Sequence, residues 1–208
     1  MEDRHLAVFV KNPVLGEVKT RLAASIGKQN ALDIYNELLS ITRENISNLG
    51  CQKHVFFGRF IEEDTIWESF NTKNEQRGKD LGERMENAFC HLFRSISNPI
   101  KVVLIGSDCP EITGGQIKKA FELLDTSDVV LGPALDGGYY LIGMKKNYSA
   151  IWSDIDWSTD RVYQQTIDKI NKIGLSYSAL PVLQDIDTQE DWSEYLIRRG
   201  EKGNLLES

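Results

Sequence analysis

The chain has 208 residues, of which 41% are hydrophobic and 26% charged, and its formal net charge is −7. A chain of this length can bury a core large enough to fold without disulfides or a structural metal. The acidic balance argues against a nucleic-acid partner, because such surfaces usually carry an excess of basic residues. The longest apolar runs have only the length of strands, so we expect no membrane span.

The N-terminal segment and the cysteines indicate the cellular compartment. The segment MEDRHLAVFVK opens with two acidic residues and leads directly into a strand, which is unlike a secretory signal peptide. Cys51, Cys90 and Cys109 are odd in number and far apart, which favours free thiols in a reducing compartment. We therefore expect a cytoplasmic protein. We treat residues 1–200 as a single domain and residues 201–208 as a C-terminal tail, and the oligomeric state stays open.

In the first half of the chain, the hydrophobic pattern predicts strands that alternate with helices. The predicted elements are a strand at 5–11, a helix at 28–49, a strand at 54–57, a short helix around 61–70 and a helix at 80–96. The first strand, HLAVFVK, is apolar enough to be buried. Apolar residues recur every three or four positions in the 28–49 helix, and Gly50 ends it.

The second half continues the alternation, beginning with the apolar strand IKVVLIG. The predicted elements are strands at 100–106, 128–131, 139–144 and 177–183, with helices after Thr113, between residues 158 and 174, and after Thr188. Thr113 is a candidate helix cap, and so is either Ser158 or Thr159. Thr188 and Asp191 resemble a capping box at the start of the last helix.

This order of elements predicts an α/β fold of the Rossmann-like type, with a mostly parallel, mixed sheet flanked by helices. Ligands of such sheets bind where the strands end at their carboxyl side. Three loops follow strands at that edge and are expected to lie close together. They are residues 12–21, 107–111 and 134–138.

The loop after the first strand reads KNPVLGEVKTRLA and concentrates positive charge. Lys11, Lys19 and Arg21 supply three cations, and phosphate groups favour such clusters because Arg presents a planar fork of donors. Gly16 permits close approach of the backbone to a ligand. The alternative is a solvated helix start with ordinary surface cations. The location directly after the first strand favours phosphate binding, although the run lacks the spacing of a Walker A loop.

Acidic residues follow the other strands. Asp108 comes directly after a buried strand, where one carboxylate and substrate phosphates can hold Mg²⁺ or Mn²⁺, but a capping role explains it equally well. Asp136 precedes two glycines, which suits either close ligand approach or a hairpin turn. Asp185 and Asp187 follow the last strand, where Asp187 could add a metal ligand or both could be the acidic start of a helix.

Six motifs in chain order resemble those of a known family. They read FVKNPVLGEVKTRLA, GKDLGERMENAF, VLIGSDCPEI, VVLGPALDGGYYLIG, DWSTDRV and DIDTQEDW. Together they resemble the bacterial glycosyltransferases of the GT-A superfamily, some members of which are linked to arsenosugar biosynthesis. The resemblance runs from the first strand to the last helix. It implies the nucleotide-diphospho-sugar transferase fold and the use of a nucleotide sugar.

The same motifs are also similar to the nucleotidyltransferases that activate 2-phospholactate or phosphoenolpyruvate in deazaflavin cofactor synthesis. That similarity implies that Lys19 and Arg21 contact phosphates and that Asp108 holds a metal ion. It also implies that Asp80 and Gly82 lie near the base or the ribose of the nucleotide.

One difference from the GT-A pattern leaves two reactions open. The loop at 106–110 carries one carboxylate, whereas GT-A glycosyltransferases usually carry two in a D-x-D motif, so this loop is closer to the nucleotidyltransferase pattern. The leading hypothesis is glycosyl transfer from a nucleotide sugar to a small-molecule acceptor. The first alternative is nucleotidyl transfer from a nucleoside triphosphate with release of pyrophosphate. The second is a nucleotide-binding module without catalytic activity.

The leading hypothesis gives each candidate residue a role. A Mg²⁺ or Mn²⁺ ion held by Asp108 and Asp187 would neutralise charge on the leaving diphosphate, with Lys19 and Arg21 assisting. Asp136 would orient the acceptor or act as general base. The residues expected to contact the nucleotide are Lys11, Gly16, Lys19, Arg21, Asp80 and Gly82. The base, the sugar, the acceptor and the stereochemical course stay open.

Overall fold

The computed structural model describes residues 3–63, 65–95 and 100–200. The strands are β1 Asp3–Val10, β2 Gln52–Phe57, β3 Thr72–Glu75, β4 Ile100–Ile105, β5 Val129–Pro133, β6 Tyr139–Met144 and β7 Tyr177–Ala179. The α-helices are α1 Thr20–Ile26, α2 Lys28–Ser47, α3 Leu81–Ser95, α4 Gly114–Leu123, α5 Val162–Lys172 and α6 Gln189–Arg199. The predicted tail at 201–208 and the predicted helix end at residue 96 lie outside the described residues.

The seven strands of the described residues belong to one sheet, in the order β3-β2-β1-β4-β6-β5-β7. Strand β6 runs antiparallel to β4 and β5, and the other pairings are parallel. The predicted fold, a mostly parallel mixed α/β sheet flanked by helices, is confirmed. Because β1, β4 and β5 point the same way, the loops that follow them lie along one edge of the sheet, as the sequence predicts.

Helices cover both faces of the sheet, so the central strands are apolar on both sides. In β1, Leu6, Val8 and Val10 belong to the core cluster that includes α2 and α4. Ala7 and Phe9 belong to the cluster on the other face, with α3 and α5. A third apolar cluster joins α1 and α6 to α2. This last cluster fixes the segments that lead into α1 and α6, both of which carry candidate site residues.

Two predicted helix starts agree with the structure. The Thr113 side chain accepts a hydrogen bond from the Gln116 amide and forms a capping box at the start of α4. Thr188 forms the predicted capping box with Asp191 at the start of α6. Each box satisfies backbone N–H groups that a first helical turn leaves without partners.

Three predicted elements differ from the structure. Instead of a helix, the described residues of the 61–70 segment form turns, in which the Trp67 and Phe70 rings pack edge to face with centroids 5.0 Å apart. Neither Ser158 nor Thr159 caps α5, which begins after Arg161 without a side-chain cap. The strand expected at 177–183 ends at Ala179, because Pro181 lacks the amide that would continue the pairing.

The sequence prediction lacked helix α1, the edge strand β3 and a short 3-10 helix at Ser149–Ile151. Strand β3 reads TKNE and carries no apolar alternation, since it lies at the edge of the sheet. The three cysteines are free thiols, as expected. Within the described ranges, no helix combines the length and the apolar character that crossing a membrane requires.

Candidate active site

A cavity of about 480 Å³ opens where β1 and β4 end, at the edge predicted to bind ligands. Small-molecule sites typically have volumes of roughly 300–1,000 Å³. Three of the predicted site residues line this cavity, namely Lys11, Asp80 and Asp108. Arg84 and Asp185 add further charged groups to the wall. The cavity therefore combines the size of a ligand site with cations and carboxylates on one rim.

Lys19 lies at the centre of an ion-pair network beside the cavity. Its side chain is only 2% exposed, and its Nζ lies 2.6 Å from the carboxylate of Asp108 and 3.5 Å from that of Asp187. Nζ also donates a hydrogen bond of 2.6 Å to the carbonyl of Ile186. A buried charge needs such partners because they replace its lost hydration. The sequence had predicted Lys19 as a phosphate ligand, and the structure shows it bound to protein acceptors.

The backbone of Lys19 is held in an uncommon conformation. Its φ and ψ are both 48°, in the left-handed region, directly before α1. This region costs an L-residue roughly 1–2 kcal/mol. The Lys19 carbonyl accepts a hydrogen bond of 2.8 Å from the Ala23 amide, and the Ile186 amide donates one of 2.9 Å to the backbone carbonyl of Asp108. These bonds and the ion pairs fix the loops before α1 and α6 to the loop after β4.

Arg21 contrasts with Lys19, although both belong to the same basic loop. Its side chain is 78% exposed, and its guanidinium contacts Asp187 at 3.5 Å. Most of its donors therefore face solvent and are accessible to a ligand. The predicted phosphate contact of Arg21 is compatible with this geometry and stays a prediction.

Asp185 is the carboxylate with the most unfavourable surroundings in this region. Burial and the negative charges of Asp108, Asp136 and Asp187 together raise its pKa to about 7, while Lys19 acts in the opposite direction. A cation placed among these groups would relieve the repulsion between them. From the sequence, Asp187 is the expected metal ligand, and only the tertiary structure shows that Asp185 lines the cavity.

The donor set suits a hard cation that a substrate helps to hold. In residues 3–63, 65–95 and 100–200, no three Asp, Glu, His or Cys side chains are close enough together to enclose a metal ion. Mg²⁺ is commonly bound by one or two carboxylates together with substrate phosphates. Asp108 and Asp187 could supply carboxylate oxygens of this kind. The residues present therefore fit a divalent ion that binds together with a phosphate-bearing ligand.

Asp136 belongs to the hairpin turn between β5 and β6. Its Oδ1 accepts a hydrogen bond of 2.8 Å from the Gly138 amide, and its side chain is exposed rather than in the cavity wall. Gly137 has a φ of 87°, and a Cβ there would lie 2.0 Å from the Asp160 carbonyl oxygen. The two glycines therefore serve the turn and its contact with the segment before α5. The acceptor-side role of Asp136 stays a prediction.

The two glycines predicted to approach the nucleotide have backbone and packing roles. Gly16 has a φ of 79°, and a Cβ there would lie 3.1 Å from the Lys28 side chain. Gly82 is buried under the Trp157 indole, where a Cβ would lie 2.2 Å from the ring. Neither residue lines the cavity among the residues described. Their nucleotide contacts stay predictions.

Tyr35 is a buried residue of α2 that contributes a polar group to the site. Its hydroxyl accepts a hydrogen bond of 2.8 Å from the Lys11 amide and donates one of 3.0 Å to the Lys11 carbonyl. The hydroxyl also lies 3.4 Å from Oγ of Ser107. Burial raises the pKa of Tyr35, so its hydroxyl keeps the proton that it donates. Tyr35 thereby fixes the backbone of Lys11 and contacts the side chain of Ser107, and both of these residues line the cavity.

Comparisons with known proteins agree with this geometry. Residues 48–159 match a family described as "Uncharacterized protein conserved in bacteria (DUF2064)". The chain is 31% identical to a protein from Desulfovibrio desulfuricans G20 with the provisional name nucleotide-diphospho-sugar transferase. That similarity covers 99% of this chain and 90% of the other, with a TM-score of 0.84. A comparison with curated proteins found no match.

More distant solved structures share the fold. The 4-diphosphocytidyl-2C-methyl-D-erythritol synthase of Anaerococcus prevotii DSM 20548 is 13% identical, with a TM-score of 0.62, over 95% of this chain and 97% of its own. Rv0371c of Mycobacterium tuberculosis H37Rv, solved with manganese, is also 13% identical. It has a TM-score of 0.53 over 94% of this chain and 98% of its own. At such identities the likeness establishes the fold alone.

The fold, the cavity and the similarity to the Desulfovibrio protein define the class: this is an enzyme, a transferase with the nucleotide-diphospho-sugar transferase fold. The resemblance stated from the sequence motifs is confirmed at this level. The chain belongs to the bacterial DUF2064 family, whose matching region extends from the end of α2 to the segment before α5.

Proposed function

We propose that the protein transfers a glycosyl group from a nucleotide-diphospho-sugar to a small-molecule acceptor, with a Mg²⁺ or Mn²⁺ ion. The observation that carries the proposal is the placement of Asp108 in the wall of the 480 Å³ cavity beside the ion-pair network of Lys19. The similarity to the Desulfovibrio protein supports a nucleotide-diphospho-sugar as donor.

The proposed donor would occupy the cavity with its diphosphate near Asp108. Asp108 and Asp187 would hold the divalent ion, which supplies electrophilic stabilisation of the leaving diphosphate. Arg21 would donate to phosphate oxygens from the exposed side, since its guanidinium is accessible. Lys19 would position the two metal-binding carboxylates rather than contact the substrate, because it forms ion pairs with both of them. Its predicted direct phosphate contact would require it to release one of them.

The reacting hydroxyl of the acceptor is proposed to lie beside Asp136, in the β5–β6 hairpin. Asp136 is exposed there and lies close enough to Asp185 for its charge to raise the pKa of that group. In this proposal Asp136 orients the acceptor hydroxyl or removes its proton. Lys11 and Asp80 line the cavity and would contact the nucleotide.

A nucleotide screen tests the proposal directly. Nucleoside diphosphates and nucleotide sugars would be added with Mn²⁺, with Mg²⁺ or with EDTA, and thermal unfolding recorded. A ligand at 100 times its Kd stabilises a protein by about 2.7 kcal/mol. We expect metal-dependent stabilisation in the wild type and its loss in Asp108→Asn. Asp168→Asn, an exposed carboxylate on α5, is the matched control. No stabilisation by any compound with either metal would refute the proposal.

Nucleotidyl transfer is the second candidate, favoured by the single carboxylate in the 106–110 loop. Here an acceptor phosphate or carboxylate would attack the α-phosphate of a nucleoside triphosphate. Product analysis separates the two reactions, since glycosyl transfer releases a nucleoside diphosphate and nucleotidyl transfer releases pyrophosphate.

A further inference from the structure

A second groove, of about 590 Å³, lies between the edge strand β3 and helix α3. Phe56 and Ala88 belong to its apolar lining, and the ring of His91 packs edge to face on Phe56 with centroids 6.3 Å apart. The groove has a volume in the usual range for small-molecule sites. None of the roles described so far uses it.

The groove is strongly basic in an acidic protein. Its described lining contains four cationic residues, Lys73, Arg77, Arg84 and Arg94, and one acidic residue, Glu75. The whole chain has a formal charge of −7, so this is a local reversal of sign. A concave surface with cations on several sides attracts and concentrates anions.

The three arginines are available to a ligand. Lys73 forms an ion pair with Glu68 at 2.6 Å, outside the groove lining. Arg77, Arg84 and Arg94 form no ion pair with any residue that the structure describes. The Arg84 Nε donates a hydrogen bond of 3.2 Å to the Gly78 carbonyl, and the side chains of Arg77 and Arg94 are exposed. Guanidinium groups match phosphate and carboxylate oxygens through paired hydrogen bonds, so an anionic ligand would satisfy the remaining donors.

The arginines are also held in a defined arrangement. On α3, Arg84, His91 and Arg94 are spaced seven and three residues apart, which places them along one face of the helix. The Asn87 side chain donates a hydrogen bond of 2.9 Å to the carbonyl of Arg77 and fixes the loop after β3. Cations from the helix and from the loop therefore converge on one groove.

The groove adjoins the candidate active site. Gln76 and Arg84 line both cavities. The Gln76 side chain donates hydrogen bonds to the carbonyls of Val10 at 3.0 Å and Phe56 at 2.8 Å, so it lies where β1 and β2 end. A molecule bound along the groove could extend past these two residues toward the reacting groups.

We propose that this groove binds the anionic part of the acceptor, and that the acceptor is a small molecule bearing phosphate or carboxylate groups. Arg77 and Arg94 bind its distal charged group, and Arg84 binds at the junction with the active-site cavity. The assignment to the acceptor rests on the proposed transferase function, whereas the anion site itself stands on the geometry of the groove.

The binding test uses inorganic phosphate and citrate in the presence of EDTA, which removes the divalent ion that the proposed nucleotide site requires. Kd values are measured for the wild type, for the double variant Arg77→Gln/Arg94→Gln and for Lys118→Gln. Lys118 is exposed on α4, on the opposite face of the sheet, so its variant controls for loss of charge. We expect the double variant to bind at least roughly tenfold more weakly and the control to stay within about twofold.

Three outcomes would overturn the anion site: no binding of either anion by the wild type, equal binding by the double variant, or equal weakening in Lys118→Gln. The relative affinities for phosphate and citrate show which charged group the groove prefers. In turnover, the double variant should raise the KM for the acceptor and leave kcat nearly unchanged. An unchanged KM together with lost anion binding would refute the acceptor assignment. Failure of the transferase proposal is recognised separately, by the absence of metal-dependent nucleotide stabilisation.

Discussion

Two carboxylates at opposite ends of the same sheet have opposite pKa shifts. Asp185, near the carboxyl ends of the strands, has its pKa raised to about 7 by burial and by other carboxylates. Asp128, at the amino end of β5, has its pKa lowered by hydrogen bonds from the Ser176 amide and hydroxyl and from Tyr148. Carboxylates therefore repel one another at the carboxyl end of the strands, whereas hydrogen bonds stabilise the ionised Asp128 at the amino end. The repulsive end is the one that can use a cation or a ligand.

The largest expected loss of stability follows replacement of Lys19. The carboxylates near the carboxyl ends of the strands would then lose their buried cation, and the repulsion at this end of the sheet would increase. Removing one partner of a buried ion pair typically costs about 3–5 kcal/mol. Asp108 is 33% exposed, so we expect the lower end of that range, about 3 kcal/mol, for Lys19→Met in urea unfolding. Arg21→Met, which removes a cation from the exposed side of the same network, should cost less than about 0.5 kcal/mol. Equal losses would contradict the structural role of Lys19.

The next effect concerns packing at the functional end. Gly82→Ala would place a Cβ 2.2 Å from the Trp157 ring, and overpacking of this kind costs about 1–3 kcal/mol. Gly115→Ala is a matched control in the first turn of α4, because its Cβ would lie 3.6 Å from the nearest atom. That change should stabilise the protein by roughly 0.5–1 kcal/mol. Urea unfolding measures both, and a neutral Gly82→Ala would show that the ring moves aside freely.

The smallest effect tests the satisfied end of the sheet through its pH dependence. Because the pKa of Asp128 is lowered in the folded state, its contribution is fully present above its unfolded pKa of about 4 and is lost as the pH falls below that value. Asp128→Asn should therefore destabilise the protein by about 1–2 kcal/mol at pH 7. The difference from the wild type should shrink steadily below pH of about 4. A difference independent of pH would show that the charge is not what stabilises this end.

The sequence predicted the elements whose pattern is set locally. The buried strands and α2 follow from their apolar periodicity, and the Thr188–Asp191 capping box follows from two residues three positions apart. The edge strand β3 was missed because TKNE has no apolar side to reveal it. The helix predicted around 61–70 is wrong, because the aromatic residues at 67 and 70 pack together within turns.

The candidate site was predictable in its location but less so in its contacts. Asp108 and Lys11 lie in the cavity wall as the strand order implies. The ion pair between Lys19 and Asp108 joins loops that are far apart in sequence, so no local pattern could reveal it. Without that pair, Asp108→Asn would be expected to leave the metal-free protein equally stable. With it, the substitution should also weaken the fold, because Lys19 loses its nearest counter-charge.

The antiparallel strand β6 also has a consequence for the order of folding. It forms a hairpin with β5 through the short turn at 134–138, and hairpins close within roughly 1–10 μs. The pairing of β1 with β4 joins Val8 to Ile105, and closing so long a loop costs more chain entropy. Strand β6 pairs with both β5 and β4, so β4 can add to the edge of the β5–β6 hairpin once the hairpin has formed. All three strands lie within residues 100–144, which makes the loops between them shorter than the one between β1 and β4. Folding can therefore nucleate in the half of the sheet that contains the antiparallel pairings of β6, and the N-terminal strand can dock onto β4 afterwards.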